Sequence, residues 1–303
     1  MRLSIRILFL AFCVALQACG GKALPGSDWN GIISSYKDDG LNVKYLDLAE
    51  LNLALAETDR LADDMFKYTQ AGPEGIVPTW NRSEEAGVVA SDIYYSMGHI
   101  AYAQRMAFEA DVLNEDGYNP RMVERLIQTN ILFGAYPVAE KLIKVLEKDG
   151  YDCSRFRPFL YDDAAVDSDP VLGPKRRCIP SEDHISLSGG IEEDLKRIIR
   201  TNPSHRITLE YLGAIYLLDC DMEAFKALVD EFYGTEALPE LHGAFAEAAC
   251  MLSEVHHGYW KTVGVDKAVH NRYLDFTKRV GTGVSMDRFK DTFWYYIMRV
   301  NSL

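Results

Sequence analysis

Clustered carboxylates, paired histidines and four cysteines past residue 150 are the groups of this 303-residue chain whose types and spacing could do chemistry. From Asp162 to Asp169 runs DDAAVDSD, a patch that could hold calcium because hard cations take clustered carboxylate oxygens. It lacks the alternating ligands and turn glycine of an EF-hand loop and reads instead as a solvated loop. His256-His257, with His242 and His270 further off, invite a metal reading. Adjacent helical residues point about 100° apart, so the pair cannot share an ion without a helix break, which Gly258 only permits. His99 and His205 read as histidines hydrogen-bonded within helices. Asp63-Asp64 and Glu192-Glu193-Asp194 supply carboxylates, yet nothing places two of them across a cleft as glycoside hydrolysis requires. Acids at a helix start complement its dipole. No GxSxG, HExxH, phosphate-binding loop or dinucleotide fingerprint occurs. The chain therefore reads as non-catalytic, with no cofactor, no metal and no catalytic residue assigned.

The amino terminus carries a sharper signal. Arg2 and Arg6 flank the start of an apolar run, Ile7 to Leu16, which has signal-peptide length and is too short to span a bilayer. Leu16-Gln17-Ala18-Cys19-Gly20 follows and resembles the lipobox of bacterial lipoproteins, in which the cysteine is acylated and becomes the first mature residue. The resemblance implies a signal peptide over 1–18, lipid attachment at Cys19, and a cell-envelope protein held to the membrane by several acyl chains. Gly20, Gly21, Pro25 and Gly26 continue as a tether over 19–43. Residues 20–23 carry no acidic run of the kind that resembles a surface-export signal, so a periplasm-facing placement is expected. Export also sets how the remaining cysteines are read. Cys153 and Cys178 flank a loop-like segment and could form a disulfide, worth ~3 kcal/mol in the chain-entropy picture. Cys220 and Cys250 read as small buried residues.

The elements that must position these groups are helical. Asp47 to Lys67 reads as two helices broken near Thr58-Asp59, and Gln70 to Asn81 as a connecting loop. Ser91 to Ala110 (SDIYYSMGHIAYAQRMAFEA) reads as one central helix, apolar over most of its circumference and covered on both sides, with Gly98, Ala101, Ala103 and Ala107 allowing close approach and Tyr94, Met97 and Phe108 filling space. Asn119-Pro120 opens the next helix, Gly134 breaks it, and Asn202-Pro203 opens a similar pair. Residues 150–190, with Pro158, Pro170, Pro174 and Pro180, read as a loop insertion in which helix is implausible. No strand alternation appears. The expected fold is all-α, an irregular α-α superhelix: helical repeats over 44–149, the insertion, then helical repeats and a capping helix over 191–303. The last helix puts Phe289, Phe293, Tyr296, Ile297 and Val300 on one stripe that closes the stack.

Placing Ala62, Ala139 and Ala224 in register aligns three helix–turn–helix units, each with an apolar residue four positions later (Phe66, Ile143, Leu228). This resembles a degenerate tetratricopeptide array. The strings LNLALAETDRLADDMF, GPEGIVPTW, IYYSMGHIAYAQRMAFEA, VERLIQTNILFGAYPVAEKLIKVLEK, NPSHRITLEYLGAIYLL and FKDTFWYYI further resemble the soluble helical-repeat portion of an uncharacterised family of Bacteroidota envelope proteins. That resemblance implies an envelope location and no known activity; in the family several membrane spans precede this portion, where a lipobox stands here.

Composition bounds the partners. The formal charge of −13 disfavours nucleic acid and anionic lipid surfaces, while 48% apolar residues suffice for a sizeable core. The expected function is that of a lipid-anchored scaffold or assembly component whose repeats bind a protein or peptide. The alternative is a glycan-binding lipoprotein of a nutrient-uptake system, resembling starch-binding outer-membrane lipoproteins, with Trp29, Trp80, Trp260 or Trp294 as sugar platforms; an envelope hydrolase is a third option.

Overall fold

A computed structural model describes residues 22, 28–40, 42–181 and 190–300; the expected leader, Cys19 and the start of the expected tether lie outside the described residues. The described chain is all-α, and in place of strands it has two isolated bridges, Lys22 with Tyr151 and Tyr233 with Leu238. Along the chain come α1 (Trp29–Ser35), α2 (Tyr45–Ala56), α3 (Leu61–Asp64), α4 (Glu84–Ser96), α5 (Ile100–Leu113), α6 (Pro120–Leu132) and α7 (Tyr136–Lys148). After them stand α8 (Asp163–Ser168), α9 (Leu172–Arg177), α10 (Gly190–Thr201), α11 (Arg206–Leu218), α12 (Met222–Phe232), α13 (Gly243–Leu252), α14 (Tyr259–Thr262), α15 (Lys267–Arg279) and α16 (Phe293–Val300). Neighbours in sequence pack as neighbours in space, most extensively α4 with α5, α5 with α6, and α6 with α7.

One turn recurs between paired helices. A left-handed residue ends the first helix, its amide bonds back three residues, and the next amide bonds back five, which closes the orphan carbonyls of the last turn. At Gly98 these are Gly98 N to Tyr95 O at 3.1 Å and His99 N to Tyr94 O at 2.8 Å. The same pair of bonds forms at Gly134 (to Ile131 O, with Ala135 to Asn130 O), at Cys220 (to Leu217 O, with Asp221 to Tyr216 O) and at Asp59 (to Ala56 O, with Arg60 to Leu55 O).

The Gly98 turn corrects the expectation of a single helix over 91–110. α4 begins earlier, at Glu84, where the Ser83 hydroxyl accepts from Ala86 N, and it stops at Gly98 with φ +79°. A Cβ there would come within 2.8 Å of Cys178 Sγ. The helix restarts on a new axis, so Ala101 faces solvent and Phe108, expected in the core, is 59% exposed. Ala103 and Ala107 are buried, and the close approach is made by Ala110 opposite Gly87, where a Cβ would lie 2.8 Å from Ala110 Cβ.

The core falls into a large cluster, a smaller one, and a minor third formed by Ala107, Ala110, Met122 and Leu126; α4 lies between the first two. Val89, Ile93 and Met97 enter the large cluster with α2 and α10–α16, whereas Tyr95 enters the small one with Ile127, Ile143, Cys153 and Leu172. The carboxy-terminal aromatics close the large cluster: Phe289, Phe293 and Trp294 are fully buried, Trp294 Nε1 donates to Glu247 O at 2.8 Å and Tyr296 Oη donates to Leu218 O at 2.7 Å. The 150–190 segment is not a plain loop. A 3-10 stretch (Ser154–Phe159) that includes Pro158, then α8 and α9, form there; Pro174 sits in the first turn of α9, where no amide donor is missed.

Candidate functional site

A cleft of about 290 Å³ opens where α2, α4, α6 and the 150–181 segment meet, edged by Trp29 of α1. Its floor is built by α6. The Asn119 side chain caps that helix, accepting from Arg121 N at 3.1 Å and Met122 N at 3.2 Å, and Pro120 takes its first position. Helical spacing then puts Arg121, Glu124, Arg125 and Gln128 on one face, while Val123, Ile127 and Ile131 face the small cluster.

Buried Asp92 of α4 accepts from both Arg121 and Arg125, the latter at 2.9 Å. The Arg125 guanidinium stacks 3.6 Å over the Tyr95 ring, a cation–π geometry that fixes its plane. Across the opening Arg155 holds Glu124, whose carboxyl burial pushes up and the Arg155 charge pulls back. Neither the Tyr95 hydroxyl nor Arg125 Nε makes a hydrogen bond.

The far wall is Lys175, in the last turn of α9. Its ammonium donates to Ser96 O at 2.8 Å and meets His205 Nε2 at 2.9 Å, placing a cation against the carbonyl end of α4. Burial lowers the Lys175 amine to about 8. Burial, with the Lys175 charge beside it, lowers His205 to about 3, so the imidazole is neutral and its Nε2 accepts a hydrogen bond from the lysine ammonium. His205 Nδ1 faces the Thr208 hydroxyl at 2.8 Å, and that hydroxyl donates to Met97 O. The arrangement is a rigid, mixed-charge recess able to recognise a charged group of about one residue in size.

Apart from Trp29 at its edge and His205 behind Lys175, the residues singled out by sequence lie away from the cleft. In the acidic patch Asp162 caps α8, Asp163 takes Arg176 and the Tyr136 hydroxyl at 2.5 Å each, and Asp169 accepts from Val171 N and Leu172 N. Arg176 also faces Asp167 at 3.5 Å, so one guanidinium partners two of the four carboxylates of the patch. His256 and His257 fall in a turn after α13, His256 facing Glu223 at 3.8 Å; His242 pairs with Asp63 at 2.9 Å and His270 stacks on Trp260. His99 bonds Asp194 on another helix, at 3.3 Å, rather than a group of its own. Among the described residues no three His, Cys, Asp or Glu side chains could share a metal ion.

Cys153 and Cys178 are separate free thiols, so the expected bridge is not made in this structure. Cys153 packs in the small cluster while Cys178 sits in the large one, donating to Pro174 O and accepting from Asn202 Nδ2, both at 3.4 Å. Of the four tryptophans, Trp294 is core and offers no platform, and Trp29 alone lines the cleft described above. Sequence reasoning missed Glu57, Arg121, Glu124, Arg125, Arg155 and Lys175. The Arg121-Arg125 pair at helical spacing, four residues apart on the non-apolar face, was the available signal, but in one dimension it looks like any solvated face.

No described helix is long and apolar enough to cross a membrane. A family of unknown function, DUF6057, matches residues 24–299, and the chain belongs to that family. No curated protein and no solved structure matches it.

Proposed function

We propose that this DUF6057 protein is a lipid-anchored component of a bacterial cell envelope whose helical pairs bind a protein or peptide partner, in a scaffold or assembly role. The observation that supports the reading is the cleft, because charged side chains from four separate segments converge there and are held by buried partners before any ligand arrives. Pre-ordering of this kind lowers the entropy cost of binding. The lipobox at Cys19 supports the anchor, and the Bacteroidota family resemblance supports the envelope.

The repeat resemblance is strengthened by a fourth unit. Ala103 follows Gly98, and Ala139 follows Gly134, by the same five residues, and the two turns are 36 residues apart, near the tetratricopeptide period of about 34. Ala224 stands four after Cys220 and Ala62 three after Asp59, so the array is irregular. Stacked pairs of this kind offer extended binding surfaces.

In-cell crosslinking of tagged protein, followed by envelope pull-down and mass spectrometry, tests the scaffold role: one dominant protein partner is expected, and recovery of none overturns it. Metabolic palmitate labelling tests the anchor; wild type should label and Cys19→Ser should not, and equal labelling removes the anchor. A second reading, glycan binding, is favoured by Trp29 at the edge of a polar cleft. Tryptophan fluorescence unchanged across a panel of polysaccharides would dismiss it.

A further inference from the structure

We infer that the cleft takes a single carboxylate of its ligand, supplied by an acidic residue of a peptide. The inference rests on the reading of the cleft as the binding surface and adds the chemistry of what enters. Four cations face it, Arg121, Arg125, Arg155 and Lys175, against three carboxylates, Glu57, Asp92 and Glu124. The balance is one positive charge, inside a protein whose overall charge is −13.

Asp92 and Glu124 are buried and already hold guanidinium groups, so they orient the arginines rather than compete for a ligand. They also repel a second negative charge brought near them, which sets a monoanion apart from a dianionic phosphate. Arg155 grips Glu124 through one terminal nitrogen while 54% of its side chain stays exposed at the opening. A guanidinium held by one edge retains donors in the fork geometry that fits a carboxylate. The volume of about 290 Å³ suits a side chain of glutamate size and not an extended oligomer. Trp29 and Val171 supply apolar wall for its methylene groups.

The test is calorimetric titration of the full-length protein in detergent with N-acetyl-glutamate amide, N-acetyl-glutamine amide and inorganic phosphate, with tryptophan fluorescence as a second readout. The glutamate probe is expected to bind saturably and about tenfold or more tighter than either other probe. Arg155→Gln should abolish that preference. Glu57→Gln, which makes the balance two positive charges, should move preference toward phosphate, and it serves as the control if Arg155→Gln does not fold. Equal affinity for glutamate and glutamine probes, absence of binding, phosphate preferred by the wild type, or a preference unchanged in both variants would overturn the inference. A glutamate response without any captured envelope partner would keep it and remove the scaffold reading; a captured partner without a glutamate response would do the reverse.

Discussion

Buried titratable side chains owe their state first to burial, and this sets how stability follows pH. His205 has its folded value lowered to about 3 from an ordinary 6.5, and His99 moves in the same direction, both through burial first. The unfolded chain therefore binds more protons between those values, and stability present above about pH 6.5 is lost as pH falls toward 3. Each proton contributes a slope of at most about 1.4 kcal/mol per pH unit. Glu247 works in the opposite sense. Burial raises its carboxyl to about 8, against backbone donation from Phe293 and the charge of Arg272, so its contribution is complete below the ordinary 4.5 and declines as pH rises to about 8. Melting curves from pH 4 to 9 should show His205→Gln flattening the acid limb and Glu247→Gln flattening the alkaline one; unchanged limbs would refute the assignment. Asp92→Asn should be costlier than either, about 3 kcal/mol by urea denaturation, because two guanidinium groups lose their shared buried partner. None of these neighbours adjoins its partner in sequence: His205 meets Lys175 across 30 residues and Glu247 meets Phe293 across 46.

Among the elements, the helix pairs are decided at their turns. Gly98 and Gly134 share a left-handed backbone, with φ of +79° and +70°, but a Cβ at Gly134 meets open space whereas one at Gly98 meets Cys178. Gly134→Ala should cost about 1 kcal/mol for the conformation alone. Gly98→Ala adds a steric clash and should cost at least about 2 kcal/mol more in chemical denaturation; equal costs would mean that Cys178 yields freely. The same turn explains why 91–110 misleads as a sequence. Apolar periodicity runs through Gly98 almost unbroken, yet the chain leaves the helix there because Tyr94 and Tyr95 carbonyls are closed by Gly98 and His99 amides. The prolines of 150–190 mislead in the other direction, since Pro174 stands in the one turn of a helix that tolerates it.

Across the described molecule, α4 is shared by the large cluster and the smaller one beside it, so these two cannot unfold independently without exposing one of its faces. A single urea transition is expected, monitored by circular dichroism and by tryptophan fluorescence. Ile93→Ala, on the face toward the large cluster, should move both signals together and cost about 3 kcal/mol. Separated transitions would show that the small cluster is an autonomous unit.

The sequence by itself determined the class of fold and most element ends, because apolar spacing, Asn119-Pro120, Gly134 and the 70–81 breaker cluster act over one or two helical turns. The expectations of a leader and of lipid attachment at Cys19 also rest on local patterns, on residues outside those described. Tertiary structure decided the cleft. Whether Arg121, Arg125 and Lys175 face solvent or each other's partners depends on which helices lie opposite, and a helix surface rich in charge has the same periodicity in both cases. The place of Trp294 in the core and of Phe108 outside it follows from the same cause: burial belongs to the packing of helices distant in sequence, and residue type only biases it.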